Sequence, residues 1–258
     1  MLNFPISNLP ERAEKPRQKG LTMIMDKGLS VREAENLVAA GHEYIDMIKL
    51  GFGSALITLD LQKKLDVYKD AKIPVYFGGT LAEAYIIRKS FDQYIKLVLK
   101  YKMEYAEVSD GSITIPHDEK CEYIRKLARH VTVISEVGSK EEGIIIHPGV
   151  WTKMMLKELE AGVWKVIAEA RESGTVGIYR PNGKAHVMLI NRITNKVPAD
   201  KIIWEAPQKS QQAYFIKHMG ADVNLGNIAP NEIIALESLR LGLRSDTFFQ
   251  YLETTSNV

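Results

Sequence analysis

Short apolar runs rich in Val, Ile and Met alternate with amphipathic stretches along the chain. The runs are LTMIMD (21–26), YIDMIKLG (44–51), IPVYFGG (73–79), EYAEVSDG (104–111), VTVISEVG (131–138), WKVIAEAR (164–171), KIIWEA (201–206) and ADVNLGN (221–227). Each has the length and composition of a strand. Between them, apolar residues recur at helical spacing, and two helix starts are signalled. Ser30 with Glu33 and Thr80 with Glu83 fit the capping box, in which a hydroxyl accepts from a free amide and the carboxylate accepts in return. Gly41, Gly162 and Gly220 stand just before the next run, where glycine commonly ends a helix.

Parallel neighbours need a long return path, so strands separated by helices predict parallel pairing through helical crossovers. Eight such units predict an α/β fold, the (β/α)8 TIM barrel. The rival is an open doubly wound sheet, which carries a phosphate-binding fingerprint after its first strand. DKGLS, at 26–30, does not supply G-x-G-x-x-G. A length of 258 residues suits one such barrel, and no Pro/Gly-rich linker divides it. Residues 1–258 therefore read as a single barrel domain, with 1–19 as an N-terminal arm lying across the barrel or a partner subunit.

Composition narrows the function. Lys and Arg number 34 against 32 Asp and Glu, so no general attraction to nucleic acid or to an anionic membrane is expected. Cys121 is the sole cysteine, which excludes an intrachain disulfide and any multi-cysteine metal site. No secretory leader and no apolar run of membrane-spanning length is legible, and a cytoplasmic location is expected. The six histidines make no H-E-x-x-H, and neither a G-x-S-x-G elbow nor a P-loop occurs. Trp151, Trp164 and Trp204 read as packing residues.

The candidate chemistry lies at the ends of the runs. Asp26, Lys49, Gly79, Glu107, Glu136, Glu169, Glu205 and Asn227 recur at intervals of 22 to 36 residues. In a barrel those carboxyl-terminal ends converge on the face that carries the active site. Carboxylates meeting there repel and raise one another's pKa unless cations offset them. Magnesium suits the need, being hard, oxygen-seeking and retentive of water. Lys49, Lys140 and Arg171 supply further positive charge. Internal ion pairing between the glutamates and these same residues is the other reading. Lys49 is either an anion ligand or a lysine with a buried stem, Lys140 either functional or a solvated loop charge, and Asp26 either a base or the start of the turn DKG.

Three loops fit a ligand. FGGTLAE (77–83) permits close backbone approach and opens a helix whose amides suit an anionic oxygen. RESGTVGIYRPNGK (171–184), with Ser173 and Gly174, is long enough to cover the mouth. NLGNIAPNE (224–232) follows the last run, where barrels frequently bind phosphate, although Asn224 and Asn227 would serve equally as helix caps.

GLTMIMDKGL, DMIKLGFGS, GGTLAE, EVSDGS, SEVGSK, ESG, WEAPQKSQQAYFI and VNLGNIAPNEIIALESLRLGLRSDTF, in this order from about residue 20 to residue 249, resemble the phosphosulfolactate synthase family. The resemblance implies a (β/α)8 barrel that uses Mg2+ to add sulfite to phosphoenolpyruvate, an early step towards coenzyme M. It also implies that the lysine of EVGSK, Lys140, is the general acid. Beside it stand Asp26 as a second catalytic candidate and Glu107, Glu136 and Glu169 as magnesium ligands, the last inferred from the strand ends. Lys49, Arg171, Ser173, Gly174, Asn224 and Asn227 are the substrate-binding candidates. A non-catalytic or stress-related barrel homologue, or a phosphoenolpyruvate-using enzyme with another nucleophile, is the alternative. A homo-oligomer is compatible with the apolar C-terminal helix pattern.

Overall fold

The computed structural model describes residues 3–138 and 147–252. Eight strands are found where the eight runs place them: β1 (Thr22–Asp26), β2 (Met47–Leu50), β3 (Val75–Phe77), β4 (Tyr105–Val108), β5 (Thr132–Val137), β6 (Val163–Ala168), β7 (Ile202–Glu205) and β8 (Leu225–Ile228). All ladders are parallel, in the order β3-β2-β1-β8-β7-β6-β5-β4. That order is a (β/α)8 barrel with a seam between β3 and β4. The Gly79 amide donates to Glu107 Oε1 at 2.7 Å, joining the end of the β3 segment to β4 across the seam.

Helices cover the outside: α1 (Val31–Gly41), α2 (Leu61–Asp70), α3 (Gly79–Ile87), α4 (Phe91–Lys100), α5 (His117–Ala128), α6 (Pro148–Glu160), α7 (Val187–Thr194), α8 (Lys209–Met219) and α9 (Ile233–Arg240). The Ser30–Glu33 capping box forms at the start of α1. The box expected from Thr80 and Glu83 does not. Helix α3 begins two residues earlier than a Thr80 cap requires, at Gly79 with Gly78 as its cap, so Thr80 already lies inside the helix. Its Glu83 turns instead towards the loop after β4, accepting from Ser109 Oγ at 2.7 Å and from the Ser112 amide at 3.2 Å.

The two-residue period of a strand sorts the side chains into two cores. Ile24, Ile48, Val133, Val166 and Ile202 face outward and pack beneath the helices. Met23, Met47, Tyr76, Ile134, Ile167 and Ile203 face inward and fill the barrel as an apolar plug. Two residues further along their strands, the same inward register carries Lys49 above Met47, Glu136 above Ile134, Glu169 above Ile167 and Glu205 above Ile203. Glu107 follows Tyr105, which borders the plug, in the same way. A charged layer thus lies on an apolar one because the pleat alternates.

The opposite end is closed by the arm and by buried cations. Arg12 pairs with Glu237 and Asp222, each at 2.9 Å, and Arg17 with Asp46 at 3.2 Å. Arg240, wholly buried, donates to the backbone carbonyls of Ala221, Val223 and Leu21. Lys165 donates to the carbonyls of Gln18 and Asp200, and burial lowers its pKa to about 8, only partly offset by Asp200. The sign follows from linkage. Between pH 8 and the unfolded lysine value of about 10.4 the unfolded chain holds more protons, so this group makes folding more favourable as pH rises. Melting curves from pH 7 to 9.5 should rise more steeply for the native protein than for Lys165→Met, and parallel curves would refute the assignment.

Candidate active site at the carboxyl-terminal mouth

Lys49 is the centre of the charged layer. Its Nζ lies 2.8 Å from Glu136 Oε2, 3.0 Å from Glu107 Oε1 and 3.5 Å from Glu205 Oε1, and only 5% of the residue is exposed. Desolvation pushes the ammonium pKa down, but Glu107, Glu136 and Glu205 more than reverse it and hold it well above the ordinary lysine value. Tyr76, wholly buried, is pushed well above its ordinary value by burial and then by Glu107. It is therefore a neutral floor to the site.

Glu136, Glu169 and Glu205 each offer a carboxylate oxygen, all within 4.8 Å of one another. Three buried hard donors from neighbouring strands, β5 to β7, suit Mg2+ in donor type and spacing. Two of the expected ligands, Glu136 and Glu169, belong to this group. The third member is Glu205, a strand-end glutamate, whereas Glu107 faces the seam against the Gly79 amide and Lys49.

Asp26 ends β1 fully buried. Its Oδ1 accepts from the amides of Gly28 and Leu29, each at 2.8 Å, and its Oδ2 meets the Tyr68 hydroxyl and Lys64 Nζ, each at 2.9 Å. These contacts tie the first strand and its turn to α2. Asn227, at the end of β8 with φ 55°, lies 3.5 Å through Nδ2 from the Ala170 carbonyl, beside the acidic layer. Asn224 lies at the other end of the barrel. Its Oδ1 accepts from the Leu21 amide at 3.1 Å and its Nδ2 donates to Ile202 O at 2.9 Å, which joins the starts of β1, β7 and β8. Because β8 begins only at Leu225, Asn224 precedes the strand and cannot share the mouth with Asn227.

Arg171 and Ser173 are exposed in the loop after β6. Gly174 and Gln211 tie that loop to α8 through a 2.8 Å bond from Gln211 Nε2 to the Gly174 carbonyl. Further on, Gly177 has φ 75° and a Cβ there would meet the Glu169 carbonyl oxygen at 2.1 Å, so only glycine lets the loop cross so close to the site. Lys140 falls within 139–146, outside the described residues.

A second buried cluster escapes the strand-end rule. Lys120 of α5 donates to the Glu136 backbone carbonyl at 2.6 Å and pairs with Asp110 at 2.7 Å and Glu158 at 2.9 Å. Burial would raise the Glu158 pKa, yet Lys120 and other hydrogen bonds bring it below the ordinary value. The available signal was a lysine on an apolar helical face, Lys120 with Cys121, Ile124 and Leu127 in α5, and likewise Lys64 with Leu65 and Tyr68 in α2. A groove of about 1310 Å³ lies under the N-terminal arm at the far end and shares none of the acidic layer.

A (β/α)8 barrel whose carboxyl-terminal mouth gathers four buried glutamates, three of them around a lysine, has the architecture of a barrel enzyme. Among solved structures it resembles 3-hexulose-6-phosphate synthase (TM-score 0.56, 15% identity, 85% of this chain and 99% of the other) and that enzyme from Salmonella typhimurium (TM-score 0.58, 12%, 87% and 100%). At such identity the likeness is one of fold.

The (2R)-phospho-3-sulfolactate synthase (ComA) family matches residues 10–246. Phosphosulfolactate synthase of Bacillus subtilis (strain 168) is 38% identical over 244 residues, 93% of this chain and 97% of the relative. That of Methanothermobacter thermautotrophicus is 40% identical over 244 residues, 92% and 95%. The chain belongs to the phosphosulfolactate synthase family. No helix among the described residues is long and apolar enough to cross a membrane.

Proposed function

We propose that this protein is a carbon–sulfur bond-forming lyase that adds sulfite to phosphoenolpyruvate, giving 2-O-phospho-3-sulfolactate with Mg2+ as cofactor in the cytoplasm. Family membership supports the reaction. The observation that carries the site is the clustering of Glu136, Glu169 and Glu205 beside Lys49 on the inward face of the barrel mouth.

In this reaction the sulfur lone pair of sulfite forms a bond to the methylene carbon of phosphoenolpyruvate. The carbon–carbon π pair moves onto the adjacent carbon and its carboxylate, and a proton then joins that carbon. The Mg2+ that Glu136, Glu169 and Glu205 would hold supplies Lewis-acid stabilisation of the developing negative charge. Lys49 keeps the inward carboxylates together and is held protonated by them, which makes it a fixed positive charge rather than a proton donor. Lys140 is assigned the proton transfer by resemblance of EVGSK, and an ammonium can act this way when neighbours or burial lower its pKa. Arg171, Ser173, Gly174 and Asn227 are the rim contacts for phosphate or sulfite. The inward register leaves an apolar floor beneath, which excludes water and strengthens each electrostatic contact above it.

The test incubates the purified protein with phosphoenolpyruvate, sulfite and Mg2+ and follows the phosphorus NMR signal. The expected product appears, disappears on chelation and returns with added Mg2+, and Lys140→Ala lowers its rate by at least about 100-fold. No product at high enzyme concentration sinks the reaction. Equal rates for Lys140→Ala sink only the assigned acid.

A further inference from the structure

The ladder between β6 and β7 ends with Ala168 opposite Trp204. Beyond that pair the two strand ends are held differently. The Ala170 amide donates to Glu205 Oε2 at 2.8 Å, and the Glu205 backbone carbonyl accepts from the hydroxyl of Tyr179 at 2.6 Å. The segment that follows β6 thus grips both the side chain and the main chain of Glu205. It also returns to Glu169, whose carbonyl accepts from the Ile178 amide at 3.1 Å. Two of the three clustered glutamates are tied through their backbones to one short stretch, 177–179.

Tyr179 is itself firmly placed. It is 4% exposed and pairs with Ala185 in an antiparallel bridge, flanked by bonds from the Arg180 amide to Lys184 O and from the His186 amide to Ile178 O, each 2.9 Å. Gln211 of α8 fastens this hairpin through the carbonyls of Gly174 and Gly183, at 2.8 and 3.2 Å. Burial, and then Glu205, push the phenol well above its ordinary pKa, so the hydroxyl keeps its proton and remains a donor. A phenylalanine would fill the same space. Packing alone therefore does not call for the hydroxyl, which reaches a residue of the acidic cluster.

We infer that Tyr179 is a positioning residue of the mouth: its hydroxyl takes the place of the next ladder bond at the end of β7 and holds the Glu205 backbone where its carboxylate meets those of Glu136 and Glu169. The inference rests on the proposed cation site. Without the hydroxyl, a buried carbonyl loses its donor, and any backbone shift that regains one carries the Glu205 side chain with it. A cation site tolerates displacements of only about 0.5 Å.

Manganese(II) uptake, read by electron paramagnetic resonance on the intact protein, tests this without relying on turnover. Tyr179→Phe is expected to weaken uptake by about 10-fold or more, the usual effect of losing a group that orients a metal ligand. Tyr94→Phe is the control, because the Tyr94 hydroxyl also bonds a strand-end glutamate carbonyl, that of Glu107 at 3.4 Å, outside the cluster. Both substitutions should lower the melting temperature, but Tyr94→Phe should stay within about threefold of native uptake. Native uptake in Tyr179→Phe, or equal weakening in both variants, would overturn the inference. Hydrogen exchange on the native protein decides the point even if Tyr179→Phe does not fold. Manganese should slow exchange of the 177–180 amides by at least about threefold, since a ligand and the bracket that holds it must stabilise each other, and unchanged rates refute the inference. If the native protein takes up no manganese, the proposed cation fails separately, and a crystal structure of Tyr179→Phe settles the role of the hydroxyl. A Glu205 displaced from its place beside Glu169 supports positioning, and an unmoved one refutes it.

Discussion

Replacing Lys49 by Met should lower kcat/KM by about 100- to 1,000-fold, the range seen when a fixed electrostatic contact is removed from an active site. It should also cost about 3–5 kcal/mol of stability at pH 7, because Glu107, Glu136 and Glu205 then face one another with one cation fewer among them. The pH dependence gives the stronger test. In the native protein the Lys49 pKa is raised, so its contribution is full below the unfolded value of about 10.4 and is lost only as pH climbs through the still higher folded value. It therefore does not vary between pH 5 and 8. In Lys49→Met, buried like charges hold protons more tightly than in the unfolded chain, and stability should recover as pH falls from 8 to 5. Chemical denaturation across that range checks it. A variant with native stability and no pH trend would show that Lys49 does not organise the acidic layer.

Glu205→Gln should weaken Mg2+ binding by about 100-fold or more, at least as much as losing an orienting neighbour would. Glu107→Gln should change it by less than about tenfold. The contrast comes from position: Glu205 shares the 4.8 Å group with Glu136 and Glu169, whereas Glu107 receives the Gly79 amide across the seam. Loss of Glu107 should appear instead as a lower melting temperature, because the bond that joins β3 to β4 is weakened. Calorimetric Mg2+ titrations of both variants, with melting curves, separate the two roles. The reverse ranking would return Glu107 to the ligand set in place of Glu205.

The four strand-end glutamates were conspicuous in the chain because each closes an apolar run, and that pattern needs no partner to be seen. Their division into three clustered oxygens and one seam contact was not visible, since a strand shows which face a residue takes but not which neighbour it meets. Asn224 and Asn227 make the same point. They are three residues apart in one quoted motif, yet one joins strand starts at the closed end and the other lies beside the mouth. The Thr80–Glu83 spacing matched a capping box, but the helix starts at Gly79 and its glutamate is used elsewhere. Local spacing cannot distinguish a cap from a buried bracket when the first helical residue moves by two.

By itself the sequence determined the eight β/α units, their parallel pairing, the place of Lys49 and the glutamates at the strand ends, and the family to which the chain belongs. These follow from local periodicity and from contiguous motifs. Only the tertiary structure decided that Lys49 sits among three carboxylates, that Glu205 joins Glu136 and Glu169, and that Lys120, Ser109 and Glu83 support the β5 end. Those facts depend on barrel closure, which brings residues distant along the chain to within hydrogen-bonding distance and removes the water that would otherwise separate their charges.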